Sequence, residues 1–116
     1  MPKGSAVTEL QVFKAGFFKA LAHPLRIRLL ELLLVRERTV QELQDALGLD
    51  QPLVSQQLAV LRGKNIVGAR REGTTVRYAV RDPQLGELLA VARRIFNAHL
   101  IGTQAMLRAL RGERRR

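Results

Sequence analysis

Along the first third of the chain, leucine and phenylalanine recur three and four residues apart, the period of a helix that buries one face. Leu10, Phe13, Phe17 and Leu21 form the first such stripe, widened by Val12 and Phe18. Thr8 with Gln11 makes a capping box ahead of it, so a helix is predicted from there to about Leu21. His23-Pro24 interrupts the pattern. Pro24 opens a second helix to about Val35, since a proline in the first turn gives up no hydrogen bond. Leu25, Leu29 and Leu33 share a face there, flanked by Leu30 and Leu32, which makes this the most buried element. His23 reads as an N-cap or local structural residue rather than a ligand.

Two short helices with a tight corner follow between Thr39 and Gly63. Thr39 and Glu42 make a second capping box, Val40, Leu43 and Leu47 recur at helical spacing, and Gly48 supplies a C-cap. Asp50 then caps the next helix, with Pro52 in its first turn. Val54, Leu58 and Leu61 form its buried stripe. Pro52, Gln56, Ala59 and Gly63 lie opposite, with Ser55 beside them, and this face is small or polar and free of acids beyond the cap.

After Lys64-Asn65 the period changes from 3.6 to 2. Val67 and Ala69 alternate with Gly68 and Arg70, and Val76, Tyr78 and Val80 with Thr75, Arg77 and Ala79. This is a β-hairpin with Arg71-Glu72-Gly73-Thr74 at its tip and Tyr78 on the apolar side. Asp82-Pro83 opens a last helix, whose stripe runs through Leu85, Leu88, Leu89, Ala92, Ile95, Phe96 and Leu100 to Ile101. It can continue to Leu110, with a break or bend at Gly102. So long a stripe exceeds what a core this small can cover. Together with the first helix it makes a natural dimer interface, with Phe13, Phe17, Leu85, Leu89, Ala92 and Phe96 as its residues. The expected fold is mainly α with a small β-hairpin (α+β), in the order helix-helix-helix-helix-strand-strand-helix. One domain spans residues 8–110, between a disordered tail at 1–7 and a basic disordered tail at 111–116.

Composition narrows the function. The 116 residues suffice for one domain with a real core. There is no cysteine, which excludes disulfides, thiol switches and thiolate metal ligands. Charges interrupt every apolar run, so no membrane span is expected, and the opening MPKGSAVTEL lacks the apolar core of a signal peptide. The expected location is the cytoplasm. Net charge is +10, and it is clustered. Arg62–Arg81 holds six basic residues and one acid, and Arg108–Arg116 five arginines and one acid. Such clusters favour a polyanion through phosphate contact and counterion release. No nucleophile–base set, phosphate loop or paired carboxylates are present, so the chain is not expected to be an enzyme.

A helix with a small, polar, acid-free face can enter the major groove, where glutamine pairs with adenine and serine bonds to a base or a phosphate. The candidate readers of double-stranded DNA are therefore Gln51, Pro52, Ser55, Gln56, Gln57 and Ala59. The candidate wing and phosphate contacts are Thr39, Arg62, Lys64, Arg70, Arg71, Thr74 and Arg77. The alternative is a nucleoid or other structural protein that binds nucleic acid without choosing sequence; that role would favour lysine or arginine where Ser55 and Gln56 stand.

Four helices, the last a recognition helix, then a wing and a final helix form the order of a winged helix-turn-helix. The chain resembles the ArsR/SmtB family of small bacterial transcriptional repressors. The resemblance rests on Phe17–Leu30 (FFKALAHPLRIRLL), Gln51–Arg62 (QPLVSQQLAVLR) and the wing ending Arg77-Tyr78, and covers roughly residues 12–100. It implies a homodimer with paired first and last helices on an inverted repeat near a promoter, blocking transcription until a signal weakens the complex. The chain departs from the metal sensors of that family. Where they carry cysteines, it reads Glu42-Leu43-Gln44-Asp45-Ala46; on the last helix Asp82 remains, but Gln84, Ile95 and Ala98 fill the other ligand positions. No metal and no cofactor is expected, since His23 and His99 alone cannot complete a site. Control is expected from a small organic effector at the dimer seam, or from the amount of repressor.

Overall fold

The structure, a computed structural model, describes residues 6–114. Its elements run α1 (Glu9–Leu21), α2 (Pro24–Val35), β1 (Arg38–Thr39), α3 (Val40–Leu47), α4 (Gln51–Gly63), β2 (Val67–Glu72), β3 (Thr75–Val80) and α5 (Gln84–Arg114). They fall into two compact units, the first ending at Asp82 and the second beginning at Pro83.

In the first unit the helix ends follow the sequence closely. Thr8 and Thr39 each complete a capping box, with Gln11 and Glu42 respectively. The Nδ1 of His23 accepts a hydrogen bond from the Leu25 amide at 3.1 Å, so this histidine is the N-cap of α2. Gly48 ends α3 in the left-handed conformation (φ 66°), its amide donating to the Gln44 carbonyl. Asp50 occupies the N-cap of α4, but its side chain makes no capping bond. The core is built from Leu29, Leu30 and Leu33 of α2, Leu43 of α3, and Val54, Leu58 and Leu61 of α4, closed by Ile66 and Val67. Truncating one of these leucines to alanine costs about 2–5 kcal/mol through lost burial and the cavity left behind.

The end of α4 carries a signal that the hydrophobic pattern does not contain. Asn65 sits at φ 58°. Its amide bonds to the Arg62 carbonyl and the next amide, of Ile66, to the Leu61 carbonyl, both at 3.0 Å. This is the Schellman arrangement, with asparagine in the place glycine usually takes and with Ile66 and Leu61, the two positions that the motif brings together, both buried. It turns the chain sharply from α4 into the sheet.

Three differences from the sequence reading stand out. First, a two-residue strand, Arg38–Thr39, joins the hairpin as a third, edge strand; the sheet order is β1-β3-β2, all antiparallel. Two residues are too few to show an alternation. Second, the hairpin strands are longer than predicted. Arg71 and Glu72 pair with Val76 and Thr75, which leaves only Gly73-Thr74 as the loop. Gly73 takes φ 64° at the first loop position, where a type II′ turn requires a positive value.

Third, in the second unit α5 passes through Gly102 without a break and continues to Arg114, so the expected disordered tail at 111–116 is helical over 111–114. Arginine is a good helix former, and one interior glycine costs only about 1 kcal/mol, so nothing local stops the helix. Pro83 precedes the helix, which opens at Gln84. Residues 1–5, most of the expected N-terminal tail, and residues 115–116 lie outside the described residues. No described helix is long and apolar enough to cross a membrane.

Candidate nucleic-acid interface

Helices α3 and α4 pack on each other through a three-residue turn, and α4 also packs on α2, α1 and β2. Its buried stripe therefore fixes which face looks outward. Val54, Leu58 and Leu61 are fully buried. Gln51, Pro52, Gln56 and Ala59 are exposed and Ser55 is half-buried, as their spacing requires. The outward face also carries Leu53 and Val60, each 39% exposed and flanking Gln56 at helical spacing. The sequence reading missed these two. A leucine and a valine seven residues apart look like core until the buried stripe is located.

Gln57 corrects the sequence reading. It is only 9% exposed, and its Oε1 accepts a hydrogen bond from Arg26 Nη1 at 2.9 Å. One residue on from Gln56, it is turned about 100° toward the core, so it lies off the outward face and braces the helix against Arg26. Arg26 was also missed. Its Nε donates to the Ala20 carbonyl at 2.6 Å and its Nη2 to the Lys19 carbonyl at 3.4 Å. One guanidinium thus caps the end of α1 and holds the middle of α4.

The wing is positive but partly neutralised. Arg70 and Arg77 face each other across β2 and β3. Glu72 Oε2 accepts from both, at 3.3 Å from Arg70 and 3.2 Å from Arg77. Glu37 takes Arg70 at 2.6 Å, and Glu42 lies 3.6 Å from Arg77. Arg36 completes the ladder with a 2.6 Å bond to Glu42. That bond, with a second from the Thr39 amide, holds the Glu42 carboxyl below its ordinary value of 4.5. Thr39 is half-buried, and its hydroxyl oxygen is engaged as the α3 cap. Arg62, Lys64, Arg71 and Thr74 are exposed. The Lys64 ammonium lies beside Gly16 of α1, where an added Cβ would come within 3.4 Å of it.

The apolar faces proposed for assembly are unequal. On α1, Phe13 is 73% exposed, and Phe17 is half-buried with its ring edge-on to Phe18 at 5.5 Å. On α5, Phe96 is 67% exposed, and Leu89 and Ala92 are half-buried. Leu85 is only 6% exposed in the single chain, so it has little surface left to offer a partner and drops out of the predicted interface. Among the described residues no group of three or more His, Cys, Asp or Glu side chains converges as a metal site would require.

Comparison with known proteins gives one consistent picture. The pattern of the bacterial regulatory proteins of the arsR family matches residues 23–68. An uncharacterized HTH-type transcriptional regulator of Mycobacterium tuberculosis, Rv0081, is 48% identical over 88% of this chain and 90% of its own length. Its crystal structure superposes with a TM-score of 0.77 at 47% identity, covering 83% of this chain and 97% of that one. A biofilm growth-associated repressor of Xylella fastidiosa is 37% identical over 72% of this chain and 74% of its own. A homodimeric winged helix-turn-helix DNA-binding domain from Mycobacterium bovis superposes with a TM-score of 0.73 at 30% identity, over 83% of this chain and 93% of that one.

Proposed function

The chain belongs to the arsR family of bacterial regulatory proteins, and from that footing we propose that it is a homodimeric DNA-binding repressor, acting by occupancy of an inverted-repeat operator in the cytoplasm. Helix α4 enters the major groove. Gln56 reads a base edge, Ser55 a base or phosphate, and Leu53 and Val60 lie against thymine methyl groups. Arg71, at the end of the wing, and Arg62 and Lys64, at the end of α4, contact phosphates and fix the register. The exposed apolar faces of α1 and α5 meet their copies in a second chain, which sets two α4 helices on two half-sites.

The observation that supports base reading most directly is the composition of the α4 face. A helix that bound by charge alone would carry lysine or arginine where this one carries Gln56, flanked by apolar residues. Gln56→Ala is expected to cost about 1–3 kcal/mol on the operator and relax preference at one position per half-site, with non-specific binding unchanged. Footprint-derived operators and a scrambled duplex, compared at fixed salt, measure this. Equal loss on both would favour the sequence-independent structural role.

A further inference from the structure

Between the end of α4 and the base of the wing a cavity of about 490 Å³ opens, on the strand face that carries Gly68, Arg70, Arg77 and Ala79. Four of its lining residues are arginines, Arg62, Arg70, Arg77 and Arg81, against one acid, Glu37. Gly68 and Ala79 face each other across the strands and line the same cavity, so its floor is nearly free of side chains. The stem of Arg81 lies on Gly68, where an added Cβ would come within 3.4 Å of its Cγ.

Two features call for an anion. Arg70 and Arg77 are directly opposed across the strands, an arrangement of like charges that costs sheet stability unless something negative joins it. In the free chain Glu37, Glu72 and Glu42 fill that role, with carboxylate oxygens 2.6 Å, 3.2 Å and 3.6 Å from the guanidinium nitrogens. Carboxylate and phosphoryl oxygens bind guanidinium alike, so Glu37, the one glutamate that lines the cavity, marks where a ligand's oxygens would sit. Arg62 and Arg81, by contrast, have no carboxylate partner among the described residues.

We infer that this cavity is a binding site for the phosphoryl group of a small ligand, a phosphate ester or diphosphate. Arg62 and Arg81 hold it, and Arg70 and Arg77 turn to it from Glu37 and Glu72. The space is that of a small-molecule site, which typically measures about 300–1,000 Å³. A DNA backbone phosphate offers the same chemistry from another source. Arg62 shares a flank of α4 with Gln51 and Ser55, so a ligand in the cavity takes a cation from the DNA face. Bound ligand and bound DNA therefore oppose each other, from the base of the wing and not from the dimer seam.

The first arm of the test needs no DNA and does not depend on the proposed function. The full chain is titrated calorimetrically with inorganic pyrophosphate at fixed ionic strength. One saturable site per chain is expected. Arg81→Gln, and Ala79→Leu, which fills the floor and keeps every arginine, should each weaken it at least about tenfold without changing thermal unfolding. No saturable heat, or binding unaltered in both variants, overturns the site. The second arm uses a random-sequence duplex. Pyrophosphate should weaken duplex binding by the unsubstituted chain and not by Ala79→Leu. Duplex binding weakened in both variants with no pyrophosphate bound would assign the phosphoryl group to DNA and overturn the small-ligand site.

Discussion

Asn65 is the one described residue other than glycine with a left-handed backbone. Asparagine is the side chain that enters that conformation most readily after glycine, whereas most side chains lose roughly 1–2 kcal/mol there. Asn65→Ala should therefore lower stability by about 1 kcal/mol, and Asn65→Gly should hold or raise it. Urea unfolding of the pair checks this; equal loss in both would show that the amide itself, and not the backbone, matters. At this scale the sequence was readable at the caps that Thr8, His23 and Thr39 make with their chain neighbours, though not at Asp50, whose side chain makes no capping bond. It was not readable where a residue acts across 31 positions, as Arg26 does on Gln57. Periodicity set Val54, Leu58 and Leu61 inside but could not say that a polar neighbour would be drawn in with them.

The third helix is held at its start by two kinds of bond. The Thr39 hydroxyl accepts from the Glu42 amide at 3.1 Å, and the Glu42 carboxylate in turn accepts from Thr39 and Arg36. Because Arg36 depresses the Glu42 carboxyl, its contribution is present above pH 4.5 and is lost as pH falls below that value. Glu42→Gln keeps a capping side chain but cannot ionise. Unfolding midpoints taken from about pH 6 down to about pH 3 should fall less steeply for the variant than for the parent chain. Parallel curves would show that Glu42 does not couple to folding. The same glutamate explains why the wing's charge was over-read. Counting along Arg62–Arg81 finds only Glu72, yet folding brings Glu37 and Glu42 to Arg70 and Arg77 from before α4. The added strand Arg38–Thr39 carries them there, and two residues leave no pattern to detect.

For the whole molecule, the exposed phenylalanines call for a partner. Phe13 and Phe96 leave aromatic surface in water on α1 and α5 that each chain cannot cover alone, and a buried phenylalanine contributes about 1.5–3 kcal/mol. Sedimentation at micromolar concentration should give the mass of two chains. Phe13→Glu and Phe96→Glu should each shift it toward one while leaving helical circular dichroism intact. A single-chain mass at every concentration would refute the assembly. The order of the helices and the hairpin, and most of the outward positions of α4, followed from spacing alone, because each helix carries one buried stripe; the strand Arg38–Thr39 did not. The length of α5 did not, since a helix can outrun its apolar stripe when no residue forbids it. The hairpin also constrains what the lineage can do. With Gly73-Thr74 as its whole loop and Arg70 fixed opposite Arg77, a codon inserted into one strand would flip every side chain beyond it to the other face. Unless a bulge absorbs the change, descendants can lengthen or shorten the wing with its arginines on the same side only by two residues on each strand together, so its reach should evolve in steps of four residues.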